Sequence, residues 1–235
     1  MRETDPLTDS DRHAFTSALG QAADTVGVAV DAPQIARMFA HFQRVIETNR
    51  RFNLTRITDP ADAAVKHYAD SLTLLACPGI TAAQPLRLLD VGTGAGFPAV
   101  PLAIVCTPWH VTAIDGTNKK ARFVAECAAT LELTNLDVRH ARALDLARTS
   151  DLLFDLVLFR AVARLDKGLR EVHPLIRPGG SAVFYKTAGI GDDERTAGTK
   201  TARHLNLTEW PTTDVTFPTP QGSMHRRLIR YTRTN

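Results

Sequence analysis

The sequence predicts an α/β fold, a parallel sheet covered on both faces and preceded by a cap of helices. Three observations predict it. Apolar residues before position 80 recur at helical spacing, five short apolar runs alternate with helical stretches after Leu86, and a glycine-rich turn joins the first run to the helix that follows.

The N-terminal stripes are Phe15, Leu19, Ala22 and Val26, then Ile35, Met38, Phe39, Phe42, Val45 and Ile46, then Ala63, Val65, Tyr68, Leu72 and Leu75. Asp9 and Asp31 are expected N-caps, and Thr58-Asp59-Pro60 opens the third helix with proline in its first turn. Pro78-Gly79 closes that helix. We read residues 1–80 as a helical N-terminal extension and 81–235 as the α/β unit.

The apolar runs are Leu86–Leu89, Val111–Ile114, Leu136–Arg139, Phe154–Phe159 and Ser181–Tyr185, with helices expected to begin near Pro98, Asn118, Ala143 and Leu165. Strands that are apolar almost throughout belong to sheets buried on both faces. Arg177-Pro178-Gly179-Gly180 is expected as a tight turn before the fifth strand. After Lys186 the pattern predicts a polar loop and two strands, around Leu205–Glu209 and Arg226–Tyr231, closing the sheet as an antiparallel hairpin.

The chain has 235 residues, 44% hydrophobic and 23% charged, which suits a globular core needing no staple. Cys77, Cys106 and Cys127 sit in apolar runs without C-x-x-C spacing, as buried thiols of a reducing compartment do, and no metal-ligand pattern is present. Neither a signal pattern nor an apolar run of about 18 residues appears, so a soluble, cytoplasmic protein without a membrane role, and a monomer, is expected. The net charge of +3 is small, but from Arg195 onward seven basic residues face two acids. That C-terminal edge is expected to offer a positive surface suited to a phosphate backbone, or simply to be a solvated face.

Gly92, Gly94 and Gly96 lie in Leu88-Leu89-Asp90-Val91-Gly92-Thr93-Gly94-Ala95-Gly96-Phe97, between the first strand and the next helix. Glycines there let backbone N–H groups approach a nucleotide. A pyrophosphate-binding loop would place glycine where Phe97 stands. The loop therefore reads as a pocket for S-adenosylmethionine, with Asp90 facing its cationic amino-acid end. Asp115 ends the second strand 25 residues on, placed to accept the ribose hydroxyls, or alternatively to cap the helix in Asp115-Gly116-Thr117-Asn118.

Methyl transfer from a sulfonium needs alignment more than a base. After the fourth strand the chain reads Phe159-Arg160-Ala161-Val162, without the Asn/Asp-Pro-Pro-aromatic loop of exocyclic-amine methylation. No cysteine sits at a strand end to attack a pyrimidine carbon. A ring nitrogen such as guanine N7 requires neither device, while small-molecule oxygen and nitrogen acceptors stay open. Arg160 ends an otherwise apolar strand at the edge where such sheets bind ligands, so it is either functional or paired, with Asp90 or Asp155 as expected partners. Lys186 ends the fifth strand at the same edge and is a second catalytic candidate, with a solvated lysine as the alternative. His67 is expected to be structural.

These motifs together resemble the bacterial 16S rRNA guanine-N7 methyltransferases over about residues 45–187. The resemblance rests on Phe52-Asn53-Leu54-Thr55, Thr58-Asp59-Pro60, Lys66-His67-Tyr68-Ala69-Asp70-Ser71-Leu72, the loop from Leu89 to Pro98, Pro101–Ile104, Asp115 with Lys119-Lys120, and Arg160–Ala163. It implies a class I methyltransferase fold (Rossmann-like, with a seven-stranded, mostly parallel sheet), S-adenosylmethionine as donor, and 16S ribosomal RNA or a small-subunit assembly intermediate as partner. It further implies that Gly92 and Phe97 touch the cofactor, that Asp115, Gly116 and Thr117 hold its ribose side, that Ala143-Leu144 borders the adenine, and that Arg160 is the binding arginine. The chain departs from the family at Leu144, where Glu is usual, and at Ala99, Phe159 and Thr187. The alternatives are a methyltransferase of the same fold for a small molecule or protein, and a non-catalytic nucleotide- or RNA-binding module.

Overall fold

A computed structural model describes residues 7–219 and 222–234. Helices α1 (Asp9–Thr25) and α2 (Ala32–Asn49) come first. One winding stretch follows, made of α3 (Pro60–Ala63), a π-helical segment (Ala64–Ala69), α4 (Asp70–Leu72) and a 3₁₀ turn (Thr73–Ala76). The sheet and its helices are β1 (Arg87–Val91), α5 (Ala99–Val105), β2 (His110–Asp115), α6 (Asn118–Thr130), β3 (Leu136–His140), α7 (Ala143–Thr149), β4 (Phe154–Arg160), α8 (Leu165–Val172), β5 (Ile176–Lys186), α9 (Asp192–His204), β6 (Leu207–Glu209), β7 (Thr213–Thr219) and β8 (Gly222–Arg233).

The caps show why the helices start where they do. Asp31 and Gln34 form a reciprocal capping box on α2, and Asp59 caps α3 with Pro60 at its first position. The cap of α1 is Thr8, boxed with Asp11, rather than the expected Asp9. A threonine with an acid three residues on satisfies two backbone donors, which Asp9 alone cannot do.

Strands run in the order β3-β2-β1-β4-β5-β8-β6, with β7 also paired to β8. The first five are parallel, and β8 is antiparallel to β5, β6 and β7. The sheet thus has eight strands rather than seven. The extra one is β7, whose Thr213–Thr219 pairs residue by residue with Leu228–Gly222. The predicted polar loop after Lys186 contains α9, whose weak apolar stripe buries only Gly198, Thr201 and Ala202. Such a sparse stripe leaves little periodic signal. The expected turn at Arg177–Gly180 lies within β5, beside an irregularity in its pairing with β4.

Alternation along the strands divides the core. Leu88, Val111, Leu156, Leu158, Val183 and Tyr185 face α1, α2, α5 and α6, whereas Leu89, Val91, Val157, Phe159, Ala182 and Phe184 face α7, α8 and α9. Arg160 shares the parity of Leu156 and Leu158, so its side chain emerges on the face covered by the N-terminal helices. Phe159 points the other way, stacking on Phe184 with centroids 4.6 Å apart. Gly168 of α8 makes room for that stack, since a Cβ there would lie 2.7 Å from the Phe184 ring.

Candidate active site

Register brings the first candidates together. Val91 pairs with both Ile114 and Phe159, so the carboxyl ends of β1, β2 and β4 lie level. One step further, Gly92 and Thr93 donate their N–H groups to the Ile114 carbonyl, at 2.8 and 3.0 Å, and fold the chain into the loop. Gly92 takes φ +74°, and a Cβ on it would stand 2.7 Å from Val162, so both backbone and space demand glycine.

Asp115 pins this loop. Its Oδ2 accepts from Gly94 N–H at 3.0 Å and its Oδ1 from Thr117 N–H at 2.7 Å. The residue at the N-cap of α6 is Thr117, not Asp115, so the capping alternative does not describe this side chain. Each carboxylate oxygen keeps a lone pair for a ribose hydroxyl. Beside it a cavity of about 200 Å³ is lined by Gly92, Ile114, Gly116, Ala143, Leu144 and Val162, among others. Leu144, one of the four departures from the pattern, is exposed there.

Asp90 is fully buried. Its Oδ2 accepts from Ala99 N–H at 3.3 Å, while Oδ1 and the neighbouring Thr93 hydroxyl make no hydrogen bond of ordinary geometry. Burial pushes the Asp90 carboxyl up to about 7, against the opposing pull of Thr93, the Ala99 N–H and Arg160. A buried acid with an open oxygen fits a ligand's ammonium group, which S-adenosylmethionine carries. Phe97 packs behind the loop, stacked on His67 at 4.6 Å.

The second group of candidates gathers around a residue that sequence reasoning did not single out. Asp70, wholly buried, accepts from Arg160 Nε at 2.8 Å and from Arg226, whose Nη2 lies 2.9 Å away. Arg160 Nη2 also donates to the Lys66 carbonyl at 2.7 Å, an acceptor presented by the π-helical segment. Arg160 is therefore paired, but with Asp70 and not with Asp90 or Asp155; Asp155 is occupied by Arg177. Its Nη1 makes no hydrogen bond to any described residue. Two arginines around one carboxylate leave the locality with an excess positive charge.

Lys186 is neither solvated nor open. Its ammonium reaches the Ala163 carbonyl and Glu194, both at 2.7 Å, and so braces the turn after Arg160. In that turn Ala161 holds φ +59°, a conformation costing a non-glycine residue about 1 kcal/mol.

Two histidines complete the site. His67 bonds Thr55 at 2.8 Å, and burial with Arg160 nearby holds it down to about 3. His41 was missed by sequence reasoning. It bonds Tyr68 at 2.8 Å and lies 3.2 Å from where a Gly96 Cβ would stand, and burial holds it down to about 3. The signal available was a polar residue on the buried face of α2, between Met38 and Phe42. Arg226 and Asp70 carried weaker signals, because only the fold joins positions 156 residues apart.

The expected positive C-terminal edge is neutralised in part: three of its seven cations have acid partners, while Lys200 and Arg203 are exposed with none among the described residues. Arg226 binds Asp70, Arg227 binds Asp214, Arg195 binds Glu209, and Arg230 and Arg233 donate to carbonyls. Among the described residues no group of three or more His, Cys, Asp or Glu side chains is placed to hold a metal, and no helix is long and apolar enough to cross a membrane. All three cysteines are buried and unpaired.

An open sheet in this strand order, with a glycine loop and two acids at its carboxyl edge, defines a class I S-adenosylmethionine-dependent methyltransferase. Solved structures share the fold. A putative O-methyltransferase from Klebsiella pneumoniae aligns with TM-score 0.55 at 17% identity, covering 97% of each chain. A precorrin-6y C5,15-methyltransferase from Geobacter metallireducens aligns with TM-score 0.54 at 13% identity, covering 77% of this chain and 92% of that one.

Sequence comparison identifies the family. A family model described as rRNA small subunit methyltransferase G matches residues 34–210. Ribosomal RNA small subunit methyltransferase G of Limosilactobacillus fermentum is 35% identical over 86% of this chain and 84% of its own. The protein of the same name from Sorangium cellulosum is 42% identical over 68% and 67%. The chain belongs to the rRNA small subunit methyltransferase G family, and its methyl donor is S-adenosylmethionine.

Proposed function

We propose that the chain transfers a methyl group from S-adenosylmethionine to N7 of a guanine in 16S ribosomal RNA, free or within a small-subunit assembly intermediate. One observation carries the choice of atom. The acceptor side of the loop offers no effective general base, because burial leaves His41 and His67 weakly basic with values of about 3, Asp70 is engaged by two arginines and Lys186 is ion-paired. An acceptor with its own lone pair and no proton to lose fits such a site.

In this reading Asp90, Gly92, Gly94, Phe97, Asp115, Gly116 and Thr117 hold the donor, and Ala143 and Leu144 border its adenine. Arg160, fixed by Asp70, turns its open Nη1 toward O6, the acceptor next to N7 on guanine. Lys186 positions the turn between them. Residues 1–80 form an extension that lends His41, His67 and Asp70 to a methyltransferase unit of 81–235. The protein works in the cytoplasm as a monomer. The test is mass spectrometry of small-subunit rRNA nucleosides from cells with and without the gene. Loss of one 7-methylguanosine is expected without it, and an unchanged level overturns the proposal.

A further inference from the structure

The C-terminal side keeps Lys200 and Arg203 exposed, and a second group of open cations lies elsewhere. A groove of about 260 Å³ runs between the end of α2 and the start of α6, lined by Thr48, Arg51, Phe52, Asn118, Lys119 and Arg122. Arg51 and Lys119 are exposed and meet no acid among the described residues. Arg122 has only the groove's single acid, Glu126, at 3.9 Å across the solvent. An exposed pair at that distance contributes almost nothing.

We propose that this groove binds the sugar–phosphate backbone of a single-stranded stretch of the RNA substrate next to the target guanine. The inference rests on the rRNA reading above. Charge supports it, since three cations against one acid match a phosphate chain, with the Thr48 hydroxyl and Asn118 amide as neutral donors. Position supports it too. Lys119 lies two residues after Thr117, whose N–H binds Asp115. Arg51 and Phe52 lead into the loop at Thr55, which holds His67 against Phe97. Along the chain the groove's residues thus adjoin segments of both the donor and acceptor sides. Access to N7 supports a single strand: in an A-form duplex that edge faces a deep, narrow groove that side chains cannot read. The half-buried Phe52 ring at the groove wall gives an unpaired base a surface to stack on.

The test measures binding of a 16S rRNA transcript against salt for wild type, the Arg51→Gln/Lys119→Gln/Arg122→Gln triple variant and a Lys200→Gln/Arg203→Gln control on the C-terminal side. The triple variant is expected to weaken RNA binding and raise KM for rRNA at least about tenfold, and to flatten the salt slope by about 2. Its S-adenosylmethionine affinity and melting temperature stay at wild-type values. Should the triple variant lose its fold, Arg51→Gln alone reads about a third of the slope change. An unchanged slope and KM in the triple variant, beside a wild type that methylates rRNA, overturns the groove alone, as does a loss confined to the control variant. Wild type that neither binds nor methylates the transcript or a small-subunit assembly intermediate overturns the rRNA reading itself.

Discussion

The halves of the site that the proposed function assigns to donor and acceptor are built in different ways. The donor half is one strand–turn–helix–strand unit in which backbone groups from Gly92 to Thr117 meet the Asp115 carboxylate. The acceptor half joins Asp70, Arg160 and Arg226 from three distant segments around one side-chain carboxylate, with the Lys66 and Lys186 carbonyls accepting from the two arginines. A backbone cradle tolerates change around it and loses affinity in steps. A buried charge network fails as a unit, because each arginine depends on one carboxylate.

Removing that carboxylate is the most severe way to test the contrast. Asp70→Ala strands two arginine side chains, and unfolding measurements are expected to show a loss of about 3–5 kcal/mol. A stable, active variant would show the network to be dispensable. Arg160→Lys keeps the charge but not the fork, and kcat is expected to fall about 100-fold or more, with S-adenosylmethionine affinity unchanged by calorimetry. Weakened cofactor binding instead would assign Arg160 to the donor half.

On the donor side, Asp115→Ala removes the pin of Gly94 and the ribose acceptor together. Cofactor affinity is expected to drop by about 1.5–3 kcal/mol, with kcat at saturation much less affected. Asp90 adds a pH dependence with a definite sign. A ligand ammonium favours the ionised carboxyl, which burial pushes up to about 7. Affinity is therefore expected to rise as much as about tenfold between pH 6 and 8 and then level; a flat profile in wild type, matching Asp90→Asn, would remove Asp90 from the pocket. Gly168→Ala has the smallest effect. Helix propensity gains about 1 kcal/mol while the clash with Phe184 costs about 1–3, leaving a net loss of about 1 in stability. A more stable variant would show that the stack beneath Arg160 yields.

The departures from the family also sort by half. Phe159, where a small residue is usual, finds its space in Gly168 across the α8 interface. Leu144, on the adenine side in the proposed reading, lines the same cavity as Gly116 and Ala143.

By itself the sequence determined what is local. Strand runs, the starts of α5 to α8, the glycine loop and Asp115 were legible because period, turn chemistry and one βαβ spacing suffice to place them. Helix α9 and strand β7 escaped, since their apolar stripes are short and interrupted by polar residues. Tertiary structure decided the pairing of Arg160 with Asp70 rather than Asp90, the buried place of His41, and which basic residues remain open. Those outcomes depend on what packs against a side chain from elsewhere in the chain, and a charge count along the sequence holds no record of its partner.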